Sequence, residues 1–151
     1  MSIRTAMDRE PDRRRWLSVL AKAPAQEVIS AWEALPERPA FTPLRPPENG
    51  MVLVRGRMGG TGDAFNFGEM TVTRAAVRLA TGETGVGYVA GRSYRHAEIA
   101  AVVDAMMQSA ALRPAVEDAV IGRLEEAQIQ RRDLAARKAA ATKVEFFTMV
   151  R

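Results

Sequence analysis

The spacing of apolar positions changes twice along this chain, from helical to alternating near Phe41 and back to helical after Tyr94. Between Asp12 and Ala23, Trp16, Leu17 and Leu20 fall on one stripe flanked by arginines, which predicts a helix. Pro24 suits the first position of a second helix, where a missing N–H leaves no bond unmade. Val28, Ala31, Trp32 and Leu35 follow on one face of it, and Pro36 and Pro39 end it. The opening reads as a helical hairpin.

In the middle of the chain, Met51-Val52-Leu53-Val54 is a short apolar run between prolines and glycines, the pattern of a buried strand. Phe67 to Ala80 is rich in β-branched residues. Met70 and Val72 share one face of this strand, whereas Val77 and Leu79 share the other, so a bulge is expected within Thr73 to Ala76. A tight turn at Thr81-Gly82-Glu83-Thr84 leads to Val86, Tyr88 and Ala90, which alternate again. An antiparallel meander of at least three strands results.

Ser93 is placed to cap the next helix, whose apolar stripe is Ala100, Val103, Met107 and Ala110. Pro114 opens another, carrying Val116, Val120, Ile121 and Leu124, and Gly122 marks where a charged stretch from Glu125 to Lys143 is able to break away. The segment Val144 to Val150 reads as a closing strand with Phe146 on one face and Phe147 and Met149 on the other. Both faces need cover, from this chain's own sheet or from another subunit. The order is that of an α+β fold, with residues 1–151 as a single domain.

Composition narrows the chemistry. Lys and Arg number 22 against 18 Asp and Glu, a formal charge of +4. That excess suits an anionic small molecule or an acidic partner and falls short of the clustered basic face of a nucleic-acid binder. The absence of cysteine excludes disulfides, thiolate metal sites and a cysteine nucleophile. His96 is the sole histidine, which excludes a multi-histidine metal site. The apolar stretch Trp16 to Ala21 is shorter than the ~7–15 residues of a secretory signal, and no run approaches the ~20 of a membrane span. A cytoplasmic protein is expected.

Candidate chemistry concentrates between Arg55 and Glu69, where Gly59, Gly60 and Gly62 accompany Arg55, Arg57 and Asn66. Glycines let a backbone approach a ligand, successive amides form anion-binding concavities, and arginine forks hold phosphate. A phosphate or phosphonate cradle is one reading; a long glycine-rich loop with solvated arginines is the other. Arg74 and Arg92 either serve a polyphosphate or form structural ion pairs, for instance with Glu69 or Glu98. His96 in a helix's first turn is a candidate acid or base, or a packing residue. Asp104 and Gln108, four apart, either bind a ligand or pair with each other. The alternating charges after Glu125 suit a solvated face and lack the interleaved aromatics that stack bases.

Several of these residues also sit in longer blocks: Arg14-Arg15-Trp16-Leu17, Leu44-Arg45-Pro46-Pro47-Glu48, Phe65-Asn66-Phe67-Gly68-Glu69-Met70-Thr71-Val72-Thr73-Arg74, Gly91-Arg92 and Val144-Glu145-Phe146-Phe147-Thr148-Met149-Val150-Arg151. In these blocks the sequence resembles the G subunit family of the carbon–phosphorus lyase core complex, nearly end to end. Ser93 stands where that family more usually has aspartate, and Phe67 where it has leucine.

The resemblance implies a subunit that acts with the H, I and J subunits in organic phosphonate catabolism. It implies support for displacement of adenine from MgATP by a phosphonate, giving α-D-ribose 1-methylphosphonate 5-triphosphate, a transferase reaction centred on the I subunit. Carbon–phosphorus cleavage would belong to the iron–sulfur J subunit. This chain would bind no cofactor by itself, MgATP being a substrate of the complex. The alternative is a non-catalytic subunit that only scaffolds the I subunit and its partners. Substrate-contacting residues are expected among Arg55, Arg57, Gly59, Gly60, Gly62, Asn66, Glu69, Arg74 and Arg92.

Overall fold

The computed structural model describes residues 9–142. Helices α1 (Arg9–Lys22) and α2 (Ala25–Glu33) precede a three-stranded antiparallel sheet of β1 (Phe41–Arg57), β2 (Ala64–Leu79) and β3 (Thr84–Ala90), in that spatial order. The central helix α3 (Tyr94–Gln108) follows. A single turn, α4 (Arg113–Val116), continues through a π-helical stretch, Glu117–Gly122, into α5 (Arg123–Ala141). The α+β reading is borne out.

Helix α3 organises the core because it is apolar on nearly every side. From His96 to Met107 only Glu98 is not buried. One side lies on the sheet at unusually short range: a Cβ on Gly85 would stand 1.9 Å from the Ala101 carbonyl oxygen, and one on Gly87 the same distance from that of Ala97. The other sides receive α1, α2 and α4. The two opening helices are therefore present, but they lean on α3 more than on one another. The α2 face expected from spacing is the buried one, Val28, Ala31, Trp32 and the following Leu35. The predicted α3 stripe is buried except Ala110, which lies exposed beyond the helix end.

Several side chains fix the directions of the helices. Asp104 of α3 receives both Arg13 and Trp16 of α1, and His96 meets the Leu20 carbonyl, so α1 runs antiparallel to α3. Arg15 bonds Glu125 and Gln128 bonds the Val19 carbonyl, so α5 runs parallel to α1. Both therefore point toward the end of the molecule where α3 starts and β3 stops. Gly122 does not break the last helix; it closes the π-helical stretch, and the helix goes on. A π-bulge accommodates the extra residue that a break would otherwise absorb.

Two strand expectations are corrected. Met51–Val54 is a strand but not a buried one: Met51 and Leu53 are 65% and 63% exposed. The reason is length, for β1 and β2 pair as far as Arg57 and Ala64, whereas β3 accompanies β2 only from Val72 to Arg78. The bulge expected within Thr73 to Ala76 is also absent from β2, whose pairing with β3 is unbroken there. The irregularity lies opposite, in β1, with register shifts between Pro43 and Arg45 and between Arg45 and Glu48. Prolines cannot donate to a ladder, and Pro43, Pro46 and Pro47 account for that placement. The expected closing strand, Val144 to Val150, lies outside the described residues. Among the described residues no helix is long and apolar enough to cross a membrane.

Candidate functional site

Beyond Val72 the β1–β2 pair leaves the sheet as a two-stranded arm, and most of the nominated residues lie along it. The expected long glycine-rich loop is only residues 58–63, since β1 extends to Arg57 and β2 begins at Ala64. At this tip Gly59 and Gly60 take positive φ of 58° and 83°, a backbone conformation that glycine adopts without strain. The Gly62 amide donates to the Met58 carbonyl at 2.7 Å, and Arg57 Nη1 donates to the Gly62 carbonyl at 3.3 Å. Arg55 pairs across the strands with Asn66 beside a register shift, and Glu69 pairs with Leu53. Phe65 and Phe67 meet edge to face with centroids 6.3 Å apart.

Arg74 and Arg92 sit at the root instead. Ten residues of extended β2 separate Arg74 from Ala64, the cross-strand partner of Arg57, about 33 Å at ~3.3 Å per residue. The arm thus strings the nominated residues along a rod: Arg55, Arg57, Gly59, Gly60, Gly62 and Asn66 gather at the tip, Glu69 lies midway, and Arg74 and Arg92 stand apart. Arg74 donates to Glu48 at 2.8 Å, and Arg45 lies 3.2 Å from the same carboxylate. Its partner is therefore neither Glu69 nor Glu98, and Glu98 is taken by Arg95. Arg92 is exposed and follows Gly91, whose φ is 89°.

Sequence reasoning missed the network that holds the root. The buried Thr73 hydroxyl donates to the Gly91 carbonyl at 2.6 Å and lies 3.0 Å from Asn49 Oδ1. Asn49 Nδ2 in turn donates to the Tyr94 hydroxyl at 3.1 Å. These contacts tie β1, β2 and the start of α3 together where the arm departs. The only local signal was a threonine in a strand interior and an asparagine beside a glycine, both commonplace.

The other candidates resolve as structure. Ser93 caps α3 by accepting from the His96 amide, as expected. The His96 ring is buried, with Nε2 2.8 Å from the Leu20 carbonyl oxygen, and therefore bears its proton there. Burial pushes its pKa below the ordinary histidine value, while the bond to Leu20 works the other way and loses. Neutral imidazole is thus the folded form, and the unfolded chain takes up the proton first as pH falls. Stability is full above about pH 6.5 and declines below it. Urea midpoints between pH 7.5 and 5.5 are expected to show this decline, and His96→Gln to flatten it; equal slopes in both proteins would refute the assignment. Asp104 and Gln108 do not pair through their side chains. Asp104 takes Arg13, Trp16 and the Val86 amide, and Gln108 donates to the carbonyls of Thr84 and Asp104.

A concavity of about 410 Å³ lies between α2 and α5, lined by Gln26, Ser30, Ala31, Ala34, Arg123 and Leu124 among others. None of the nominated residues reaches it.

Comparison with known proteins adds two findings. Residues 11–151 match the family model described as phosphonate metabolism protein PhnG. A protein of Rhizobium meliloti (strain 1021), named alpha-D-ribose 1-methylphosphonate 5-triphosphate synthase subunit PhnG, is 48% identical over 142 residues, which cover 92% of this chain and 88% of that protein.

Proposed function

This chain belongs to the phosphonate metabolism protein PhnG family, and on that premise we propose that it is a subunit of an α-D-ribose 1-methylphosphonate 5-triphosphate synthase. The complex replaces adenine at the ribose carbon of MgATP with a phosphonate oxygen, a transferase reaction centred on the I subunit, with H and J as further partners in the cytoplasm. The observation that carries the reading is the near full-length match to a relative of that name. Its chemistry agrees with the arm tip. Arg55 and Arg57 make no ion pair among the described residues, and two guanidinium groups without a carboxylate partner, one of them also donating to the Gly62 carbonyl, suit a triphosphate or phosphonate at a site completed by a companion.

A scaffolding role without substrate contact is the second reading, favoured by the ~33 Å between tip and root arginines, since no single triphosphate spans that length. The experiment is reconstitution from purified subunits with adenine release as the readout. Omission of this chain is expected to abolish release above background. Arg55→Ala with Arg57→Ala is expected to lower it about tenfold with assembly intact, the scale of one lost charge-assisted hydrogen bond. Arg74→Ala is expected to leave the rate within twofold, because an exposed ion pair is worth little. Undiminished release by the tip variant favours the scaffold, and undiminished release without the chain overturns both readings.

A further inference from the structure

Among the described residues, no strand pairs with β2 beside Ala64–Thr71 on the β3 side. The third-strand position is filled by β3 from Val72 to Arg78, and Gly91 then turns the chain into α3. Main-chain groups of β2 still point into the vacancy. Leu79 N donates to Glu83 on the β3 side and the Thr71 carbonyl accepts from Gly91 on that side, so the period of two aims the N–H and C=O of Glu69 the same way. Among the described residues nothing meets them. The arm also exposes Leu53, Met58, Phe65, Phe67 and Met70. A free two-stranded ribbon is marginal in water, and an apolar edge left open is a template for pairing.

A second projection leaves the molecule at the same end. Helix α5 follows α1 toward the start of α3, makes an ion pair with α2 through Arg131 and Glu27, and continues exposed to Ala141. Ten residues at 1.5 Å give this overhang about 15 Å, beside about 23 Å for the arm from Thr71 to Ala64. On the overhang Arg132, Arg137 and Lys138 make no ion pair among the described residues, against one unengaged carboxylate, Asp133, while on the arm Arg55 and Arg57 are balanced by Asp63 and Glu69. The overhang is therefore net cationic.

We propose that the vacant place beside Ala64–Thr71 is filled by a strand of a companion subunit whose flanking surface carries carboxylates, held between the arm and the α5 overhang. Charge selects this occupant over the two nearer ones. A second copy would bring the same cationic overhang and a formal +4. The closing residues 143–151 carry Lys143, Arg151 and a single Glu145, a match in sign rather than a complement. An acidic, extended, partly apolar segment satisfies the edge, the side chains and the charge together.

The inference rests on the subunit reading above, and the test separates the two. The companion subunits of the synthase are titrated with this chain, with Leu53→Ser/Phe67→Ser, and with Arg137→Glu/Lys138→Glu, the folding of each checked by circular dichroism. The apolar pair is expected to weaken association at least about thirtyfold, and the charge reversal to slow it about tenfold at low salt. Exchange of the Glu69 amide is expected to slow at least about tenfold on complex formation. Wild-type affinity in both variants with unchanged Glu69 exchange overturns the docking surface and leaves the subunit reading standing. No association by the wild-type chain overturns both. A dimer of the chain alone that the apolar pair abolishes assigns the place to a second copy. Glu69 exchange that is already slow in the free chain and quickens on deletion of residues 143–151 assigns it to the chain's own end. Either result overturns the proposal.

Discussion

Gly87→Ala is expected to destabilise the protein by about 3 kcal/mol or more, although it adds one methyl group. Overpacking a tight core typically costs ~1–3 kcal/mol and more where backbone must move. Here it must. The new Cβ would lie 1.9 Å from the Ala97 carbonyl oxygen and 3.0 Å from the Ala101 amide nitrogen, atoms of a helix that α1, α2 and α4 hold from behind. No rotamer relieves a Cβ. Gly68→Ala on the arm makes the control, because its Cβ meets nothing within 4 Å and its φ is not positive. Thermal denaturation is expected to show a loss of roughly 10 °C for Gly87→Ala, at ~2–4 °C per kcal/mol for a chain of this size, and a shift of no more than about 2 °C for Gly68→Ala. Equal midpoints for the two variants would mean that helix and sheet are not in this contact.

That pair of glycines also shows where sequence reading stops. Gly85 and Gly87 alternate with Val86 and Tyr88 and read locally as weak strand positions. Only the approach of α3, whose Ala97 and Ala101 lie ten and sixteen residues further on, explains them. What periodicity records is burial within one element, and there it succeeded: the Val28–Leu35 face of α2 and the cap at Ser93 are as their spacing implied. It failed where burial depends on a partner. Met51–Val54 has the composition of a core strand, yet β3 is too short to reach it and no helix among the described residues covers it. The change of apolar face along β2 marks no bulge in that strand, whose pairing with β3 is unbroken, and the irregularity sits instead at the prolines of β1.

The candidate site has the same lesson in another form. Arginines and glycines crowded between Arg55 and Arg74 suggest a cradle, but a cluster in sequence becomes a cluster in space only if the segment folds back. Extended strand spreads it at ~3.3 Å per residue. The tip residues are brought together because the hairpin returns there, and Arg74 is not. The cap at Ser93 did mark the end of the third strand; what the chain alone could not disclose was how far β1 and β2 run on together past it.

Asp104→Ala is expected to cost about 2–4 kcal/mol, and the reasoning turns on which of its partners can find water. The carboxylate is fully buried at 0% exposure. It accepts from Arg13 Nε at 3.1 Å and Nη2 at 2.8 Å, from Trp16 Nε1 at 2.9 Å and from the Val86 amide at 2.9 Å. One side chain on α3 thus bonds α1 and β3 together. Breaking a buried ion pair usually costs ~3–5 kcal/mol because the abandoned charge cannot be solvated. Arg13 is 38% exposed at its side chain, so its guanidinium recovers part of that loss in water. Trp16, at 2% exposure, does not, and an unsatisfied buried donor costs ~1–3 kcal/mol, whereas Val86 is 42% exposed and its amide regains part of its bond in water. The Trp16 donor therefore carries most of the loss. Asp104→Asn is expected to fall between wild type and alanine, since its oxygen still accepts while its amide opposes another donor. Arg13→Ala is expected to cost less than Asp104→Ala, because it leaves the Trp16 and Val86 bonds standing. Chemical denaturation of the three variants tests the order, and an Arg13→Ala loss equal to that of Asp104→Ala would show that the ion pair, not the other donors, joins helix to sheet.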